Sequence, residues 1–576
     1  MLLYLLLLYF NLLSQPPANW QTPYEKSKGT QTTTYPECIA YYQRLDAAYE
    51  EIKMVPYGAT DVGKPLHLVI LSLDKDFDPV SLRKKDKRIL LIQNGIHPGE
   101  PEGIDASMML ARDFIQKKNL RAQLKNVVVL FIPIYNIGGA LNRNSSTRAN
   151  QNGPESYGFR GNARNLDLNR DYIKTDSRNA RTFTQIFQEW QPDVFVDTHT
   201  SNGADYQHTL ALLPTQKDKL HPQLSQYLTQ QMLPALQSAM TKRHYPLTPY
   251  VDTKAEAPDS GLIGFMDAPR YSTGYTTLFN TIGFMTETHM LKSFAERVKA
   301  TYVFLEIMVN TISRDGALIA AARQKAQAAT LTQTQFPLNW TLDTTVVDKT
   351  FFRGYTARHK PSEVSGLPRL YYDRTAPWER NINYYQTYKP TQRIDKPKAY
   401  LVPQAWAEVI ERLKLNGVQM RPIQQDTSLT AEVYYIADYK TNPRPYEGHY
   451  LHNQVSLRPE KQTAHFLKGD YLIYLNQAAN RYIVETLEPQ GGDSFFSWGF
   501  FDAILQQKEY FSDYVFEDLA ADLLKKDANL RQQYEEWKKQ NPEQAKSAHA
   551  HLQFIYLHSP YYETTHLRYP VVRLTN

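Results

Sequence analysis

The sequence of 576 residues predicts an α/β fold, with a mostly parallel or mixed sheet and helices on both faces, followed by a β-rich second domain with a helical C-terminal part. Over residues 40–320, short apolar runs of strand length alternate with amphipathic stretches of helix length, the pattern of βαβ units. The composition changes after about residue 322, first to Ala, Gln and Thr at 323–334, and residues 340–510 are rich in Tyr, Thr, Val and Pro. The chain is also too long for one ordinary hydrophobic core.

The N-terminal segment reads as a targeting signal. Residues 2–13 are almost wholly apolar but shorter than a membrane span of about 20 residues, and Ser14 follows them. We predict a signal peptide at residues 1–14, although no basic residue precedes the apolar run, and an uncleaved anchor is the alternative. Residues 15–36 are rich in Thr, Gln and Pro and predict a tether. The expected location is periplasmic or secreted, with no stable membrane insertion after cleavage.

Residues 37–322 are predicted as the first domain, and its strands and helices follow from hydrophobic periodicity. Strands are expected at 64–72, 89–92, 127–134, 194–198 and 282–286, and helices at 42–53, 104–116, 220–241 and 294–311. The apolar strands flanked by helical segments indicate that the sheet is covered on both sides.

Three of these strands lead into residues that bind metals or move protons. His97 and Glu100 follow the strand at 89–92, His199 follows the strand at 194–198, and Glu287 follows the strand at 282–286. A lone His-x-x-Glu often arises by chance. Strand ends at one edge of an α/β sheet, however, form the usual ligand site. Two histidines and one glutamate are a catalytic zinc set, and the remaining glutamate is the usual base.

The sequence resembles the carboxypeptidase A-like zinc carboxypeptidases, in the form of a bacterial-type member with an extra C-terminal domain. The motifs that carry the resemblance are HPGE at 97–100, the histidine at 199, FMTETH at 284–289 and DLNR at 167–170. The resemblance covers about residues 40–320. It implies one zinc ion per chain bound by His97, Glu100 and His199, with Glu287 as the general base. It also implies that Asn169 and Arg170 hold the terminal carboxylate of a peptide, which suits the bidentate guanidinium.

Two further roles in the family have more than one candidate here. An arginine faces the scissile carbonyl, and Arg148, Arg160 and Arg164 all precede Asn169; the spacing to the DLNR motif favours Arg160. A tyrosine covers the site, and either Tyr271 or Tyr275 lies in the right region, with Tyr275 preferred.

Two other histidines, His208 and His289, are interpreted as structural. His289 has an alternative as a partner that orients Glu287, because residues two apart in a strand share a face.

The second half, residues 338–576, is predicted as a β-rich accessory domain of unknown role. It contains one clear helix, with Trp406, Val409, Ile410 and Leu413 at helical spacing and Gly417 at the C-cap. Residues 512–547 are strongly charged and predict helix, and about the last 25 residues read as extended. No cluster of metal ligands or nucleophiles stands out in this half.

The composition limits which classes of binding partner are expected. The net charge of +6 is mild for this length, and the basic run at 83–88 is short and adjoins a strand, so nucleic acid is not expected. A single cysteine excludes an intrachain disulfide. The predicted function is zinc-dependent hydrolysis of a C-terminal peptide bond, with a peptide or a peptidoglycan peptide as substrate. The alternatives are a deacylase of small acylated amino acids and a non-catalytic protein that binds cell wall or peptides.

Overall fold

The computed structural model describes residues 20–575, so the predicted signal peptide lies outside the described residues. The first half is built on an eight-stranded sheet with the order β1-β2-β4-β3-β5-β9-β6-β7, while β8 pairs elsewhere. The strands are β1 Ile52–Ala59, β2 Pro65–Leu71, β3 Arg88–Gln93, β4 Val127–Ile132, β5 Val194–Ser201, β6 Leu210–Pro214, β7 Thr248–Pro249, β8 Leu262–Ile263 and β9 Ile282–His289.

The four central strands of this sheet, β4, β3, β5 and β9, are mutually parallel. β2 and β6 pair antiparallel with the outer two of them, and β1 pairs antiparallel with β2. Every residue of β3 is buried. Ile89 and Leu91 belong to one core cluster and Leu90 and Ile92 to another, so the sheet is covered on both faces. The predicted fold class is confirmed. Because the central strands run the same way, their carboxyl ends meet at one edge of the sheet.

The helices of the first half pack on these two faces. They are α1 Pro23–Lys26, α2 Tyr35–Ala48, α3 Pro79–Lys84, α4 Glu102–Gln116, α5 Lys118–Arg121, α6 Ile137–Leu141, α7 Arg178–Trp190, α8 Pro222–Tyr227, α9 Leu233–Lys242, α10 Ser272–Thr277 and α11 Phe294–Thr332. A π-helical turn, Leu228–Met232, joins α8 to α9, so the helix predicted at 220–241 is present but irregular.

The tether predicted at residues 15–36 is wrong for the part that the structure describes. Thr22 and Thr34 form capping boxes at the starts of α1 and α2. Thr32 and Thr33 are buried, and both bond to the carboxylate of Asp105 in α4. A composition of Thr, Gln and Pro resembles a linker, but these threonines are helix caps and buried hydrogen-bond donors.

The first domain also extends beyond its predicted end at residue 322, because α11 continues to Thr332. Its last turns are rich in Ala and Gln, which are good helix formers, and not in linker residues. Arg323 is buried and donates to Asp193 at 3.0 Å, and Ala326 is fully buried. The sequence change near residue 322 therefore falls inside a packed helix.

The second half is mostly antiparallel sheet. Its strands are β10 Gln335–Leu342, β11 Asp348–Pro361, β12 Pro368–Tyr385, β13 Tyr388–Asp395, β14 Ala399–Val402, β15 Arg421–Pro422, β16 Thr427–Thr441, β17 His452–Phe466, β18 Tyr471–Tyr474 and β19 Val572–Leu574. Six of them form a sheet in the order β15-β18-β14-β19-β16-β17. The β11–β12 hairpin adds β8 of the first half as a parallel neighbour, so one sheet joins the two halves.

The helices of the second half are α12 Ala407–Leu415, α13 Asn480–Leu487, α14 Asp513–Lys526, α15 Ala528–Gln540 and α16 Ala548–Leu557. The predicted helix near residue 406 corresponds to α12. The charged segment predicted as helix at 512–547 forms α14 and α15, and α16 overlaps the start of the C-terminal stretch expected to be extended.

The two halves share a hydrophobic core. One cluster contains Phe187 and Tyr275 from the first half together with Tyr400, Leu413 and Tyr482 from the second. Between residues 20 and 575, no helix combines the length and the apolar character needed to cross a membrane.

Candidate active site

The carboxyl edge of the central strands brings three predicted metal ligands together. His97 and Glu100 lie in the loop between β3 and α4, and His199 lies near the end of β5. One ligand atom from each residue lies within 4.8 Å of the others, and all three residues are buried. Gly99 fits the same loop because a Cβ there would lie 2.6 Å from Cδ of Arg148.

The two imidazole rings are oriented so that Nδ1 of each faces Glu100, at 3.3 Å for His97 and 3.2 Å for His199. The opposite nitrogens face carboxylates: Nε2 of His97 is 2.8 Å from Asp167, and Nε2 of His199 is 3.0 Å from Asp197. Carboxylates in this position fix the ring orientation of histidines that bind metals. Nδ1 of His97 is buried without a hydrogen-bond partner among the described residues. These donors fit zinc.

Glu100 is held in the position of a ligand by several donors. The backbone N–H of Thr200 donates to Oε2 at 3.0 Å, and Nη2 of Arg148 lies 3.0 Å from Oε1. Burial alone would raise the pKa of Glu100, but His97 and the guanidinium of Arg148 hold it well below its usual range. Glu100 therefore stays ionised, as a metal ligand requires.

Glu287 lies beside this group because β5 and β9 pair in register, with His199 opposite Glu287. Neighbouring strands are about 4.8 Å apart, so the two side chains project from the same face of the sheet next to each other. Glu287 is partly buried, and it lines the cleft described below. Burial raises the pKa of Glu287 to about 7. His199 lowers this pKa in part, and the negative charge of Glu100 raises it further. That value suits a base acting near neutral pH.

A cleft of about 570 Å³ lies over the four residues. Its lining includes three arginines, Arg148, Arg160 and Arg170, as well as uncharged polar, apolar and aromatic residues. The apolar and aromatic lining consists of Leu213, Tyr250, Phe265, Tyr271, Met285 and Met290. The volume and lining suit a side chain and a carboxylate better than a large cofactor.

The predicted substrate-recognition loop also reaches the cleft. Asp167 caps a short 3₁₀ turn, Leu168–Arg170, by accepting from the N–H of Asn169 at 2.9 Å. Asn169 and Arg170 both line the cleft. The guanidinium of Arg170 stacks on Tyr271, 4.6 Å from the ring centre, and Nη1 donates to the carbonyl of Asn169.

The three candidate arginines separate into two groups. Arg160 lies at the cleft, with Nη1 3.5 Å from Glu100 and two hydrogen bonds to Asp167. Arg148 also lines the cleft. Arg164 is exposed and does not line it.

The prediction for Tyr275 as a substrate-binding residue is wrong. Tyr275 is fully buried in the core shared by the two halves, and its hydroxyl donates to Asn416 at 2.6 Å. It lies in α10, and its ring packs against Phe183 and Phe187 of α7, so it does not line the cleft. Tyr271, the less favoured candidate, lines the cleft, as does Tyr250, which the sequence reading did not consider.

His208 and His289 have structural surroundings. His208 contacts the carbonyl of Pro246 at 2.9 Å, and burial lowers its pKa to about 4. The ring of His289 packs on Tyr206, with centroids 4.2 Å apart, and Nε2 lies 3.3 Å from Asp205.

Sequence reasoning missed both carboxylates that orient the ligand histidines. The signal for Asp197 is its position two residues before His199 in one strand, which places both side chains on the same face. Asp167 is the first residue of the DLNR motif, but its contact with His97 joins positions 70 residues apart. Such a contact cannot be read from local spacing.

Comparison with known proteins agrees with this site. Residues 38–257 match the family model described as zinc carboxypeptidase. "Carboxypeptidase 2" of Trichophyton rubrum is 22% identical over 429 residues, which are 71% of this chain and 73% of that protein. The protein of the same name from Trichophyton tonsurans is 22% identical over 482 residues, 80% of each chain.

Solved structures are similar to this chain at lower sequence identity. A metallo-carboxypeptidase from Pseudomonas aeruginosa is 13% identical with a TM-score of 0.37, covering 49% of this chain and 68% of that one. Carboxypeptidase A from Helicoverpa armigera is 14% identical with a TM-score of 0.37, covering 56% and 81%. TM-scores this low do not carry a functional assignment, which comes from the family model and the ligand group.

Residues 38–257 match the zinc carboxypeptidase domain and the relatives are named carboxypeptidases, so the comparisons bear out the predicted resemblance. Together with the possible metal-binding group of His97, Glu100 and His199, they support a zinc metallocarboxypeptidase, a hydrolase of peptide bonds.

Proposed function

We propose that the enzyme releases the C-terminal residue of a peptide, with Glu287 as general base and with Asn169 and Arg170 binding the terminal carboxylate. The observation that carries this proposal is the position of Arg170 in the same cleft as the three metal ligands and Glu287. A carboxylate held by Arg170 brings the last peptide bond, and not an internal one, to the reacting groups.

Zinc held by His97, Glu100 and His199 supplies a Lewis acid that activates water and polarises a carbonyl. Glu287 accepts a proton from the attacking water and passes it to the amine of the departing residue. Its partly buried carboxyl group, with a pKa of about 7, is suited to both transfers. The nearby zinc charge lowers this value, which favours the ionised form.

Arg160 is proposed to stabilise the negative charge that develops on the scissile carbonyl oxygen. Two hydrogen bonds from Arg160 to Asp167 fix the guanidinium plane, and Nη1 is directed toward Glu100 at the metal group. A fixed donor of this kind stabilises the transition state without reorganisation. Arg148 contacts the same Oε1 of Glu100, at 3.0 Å, and it is the second candidate for the same role.

The terminal residue is proposed to carry an apolar or aromatic side chain. Leu213 and Met285 are paired in the sheet and line the cleft, and Tyr250 and Phe265 line it as well. Among residues 20–575, Glu100 and Glu287 supply the only carboxylates of the lining, and both have other proposed roles. A basic side chain would therefore lack a counter-ion, whereas an apolar one would be buried.

Export to the periplasm or outside the cell is part of the proposal, and the apolar residues 2–13 support it. The substrate is then an extracellular peptide or the peptide of a cell wall.

The test compares two enzymes on two substrates: the parent and Arg170→Ala on a peptide with a free C-terminal carboxylate and on its C-terminal amide. Losing the charge-assisted pair costs about 2 to 5 kcal/mol, roughly 30- to several-thousand-fold in kcat/KM. We expect the variant to lose activity on the acid and to match the parent on the poor amide substrate. Arg164→Ala, an exposed arginine of the same loop, is the matched control and should behave as the parent. Equal efficiency of the parent on acid and amide would refute C-terminal release.

A further inference from the structure

A tight turn from the second half of the chain reaches the substrate-recognition loop. It lies in the middle of the connection from β16 to β17 and consists of Tyr446, Glu447, Gly448 and His449. We name it the 446–449 turn. The end residues exchange backbone hydrogen bonds, 2.7 Å from Tyr446 to His449 and 3.1 Å in return. Glu447 and Gly448 have positive φ angles of 51° and 83°. Two-residue hairpin turns require this conformation, but Glu rarely adopts it.

The first residue of the turn contacts the proposed carboxylate-binding arginine. Nε of Arg170 donates to the hydroxyl of Tyr446 at 2.9 Å. Nη1 of Arg170 donates to the backbone carbonyl of Asn169, and among the described residues no hydrogen bond is made by Nη2. Tyr446 does not line the cleft, so it lies behind the guanidinium and fixes its plane.

The second residue of the turn contacts the backbone of Asp167, whose carboxylate orients a metal ligand. Oε2 of Glu447 accepts from the backbone N–H of Asp167 at 2.7 Å. The side chain of Asp167 in turn holds Nε2 of His97 and the guanidinium of Arg160. The unusual backbone conformation of Glu447 is thus found where its carboxylate reaches this loop.

The turn is itself fixed in place. Nε2 of His449 lies 2.6 Å from Asp176, and Tyr446 stacks on Trp498 with ring centroids 6.2 Å apart. Arg270 lies over both rings. These contacts join the turn to both halves of the chain, so it is a rigid support and not a free loop.

We infer that the 446–449 turn is a positioning device for the active site: Tyr446 sets the guanidinium of Arg170 for the substrate carboxylate, and Glu447 sets Asp167 and, through it, His97. The second half of the chain thereby determines how strongly a free C-terminus is preferred. The inference deepens the proposed function and rests on it.

The first test is Tyr446→Phe, which removes the hydroxyl and keeps the ring. Loss of a hydrogen bond to a charged group corresponds to about 10-fold, and we expect KM for the free-acid peptide to rise by that factor with kcat within about 2-fold. The rate on the amidated peptide should not change. Tyr450→Phe, a more exposed tyrosine of the same hairpin, is the matched control and should match the parent.

Three outcomes are distinguishable. If the parent does not prefer acid over amide, the proposed function fails whatever the turn does. If the parent has that preference and Tyr446→Phe keeps it in full, the inference on Tyr446 is overturned. An equal loss on acid and amide would indicate a general structural defect and would also overturn it.

The second test uses zinc affinity, measured by competition with a chelator, and needs no turnover. Glu447→Ala removes the acceptor for the N–H of Asp167, whereas Glu447→Gln keeps an oxygen acceptor. Because partners of metal ligands contribute about 10- to 100-fold in affinity, we expect Glu447→Ala to weaken zinc binding by about 10-fold and Glu447→Gln to restore it. Unchanged affinity in Glu447→Ala would overturn the inference on Glu447.

Discussion

At the scale of single residues, each reacting group depends on a neighbour that sets its orientation or charge. Asp167 and Asp197 hold the ligand histidines, Arg148 keeps Glu100 ionised, and burial raises the pKa of Glu287. The motifs placed the candidate ligands and Glu287 together from sequence, because strand ends carry them directly. Asp197 had a local signal, its position two residues before His199, whereas Asp167 and Tyr446 could not be predicted because their contacts join distant parts of the chain.

Glu287→Gln keeps the shape of the side chain but cannot accept a proton. We expect kcat to fall by at least about 100-fold, the lower end of general-base contributions, while zinc content stays at the parental value. Steady-state kinetics together with metal analysis of the purified variant would check this. A variant that keeps most of its activity would assign the proton transfer to another group.

Asp197→Asn should weaken zinc binding, because a neutral amide orients the ring of His199 less firmly than a carboxylate. The expected loss in affinity is about 10-fold, at the low end for partners of metal ligands. Chelator competition on the variant and the parent would measure it. If both proteins release zinc at the same chelator concentration, Asp197 does not support the ligand.

At the scale of elements, hydrophobic periodicity predicted β3, β4, β5, β9 and α4 within a few residues, because their buried faces carry the signal. It failed at residues 20–36 and 323–332, where polar threonines cap helices and Ala- and Gln-rich sequence continues a packed helix. It also placed Tyr275 at the site, since position along the chain does not reveal which face of the short α10 is buried.

The contact between the N-terminal segment and α4 predicts a pH-dependent stability. Asp105 accepts hydrogen bonds from Thr32 and Thr33, and its burial raises its pKa to about 7. The unfolded value is about 3.9, so between these two values the native state keeps a proton that the unfolded state has lost. This contribution to the free energy of unfolding therefore decreases as pH rises from about 4 to about 7, and it is constant above that.

Asp105→Asn removes that proton equilibrium and keeps an oxygen that accepts from the N–H of Thr33, while its amide N–H can donate to the hydroxyl oxygen of Thr32. We expect the melting temperature of the variant relative to the parent to increase between about pH 5 and pH 8. Asp113→Asn, on the same helix, is the control. Burial alone would raise the pKa of Asp113, but Arg112 and Lys117 lower it, so the change in melting temperature caused by this substitution should not vary over that pH range. A difference for Asp105→Asn that stays flat with pH would contradict the raised pKa.

At the scale of the whole molecule, the second half is part of the enzyme's core and not an appended module. Three features join the two halves: the hydrophobic cluster that contains Phe187 and Leu413, the pairing of β8 with β12, and the 446–449 turn. Composition predicted a β-rich second half, but it could not predict this docking, because the contacts join residues more than 100 positions apart.

A shared core predicts one cooperative unfolding transition for the whole chain. Differential scanning calorimetry should record a single peak whose calorimetric and van't Hoff enthalpies agree. Two separated transitions would indicate that the halves unfold independently.

The central claim is that the zinc site and Arg170 together direct hydrolysis to the last peptide bond. The most direct measurement incubates the zinc-loaded protein with a defined peptide that ends in an apolar residue and follows the products by mass spectrometry. The account predicts loss of one C-terminal residue at a time and no such loss with Glu287→Gln. Internal cleavage, or release of an acyl group with the peptide chain intact, would contradict it.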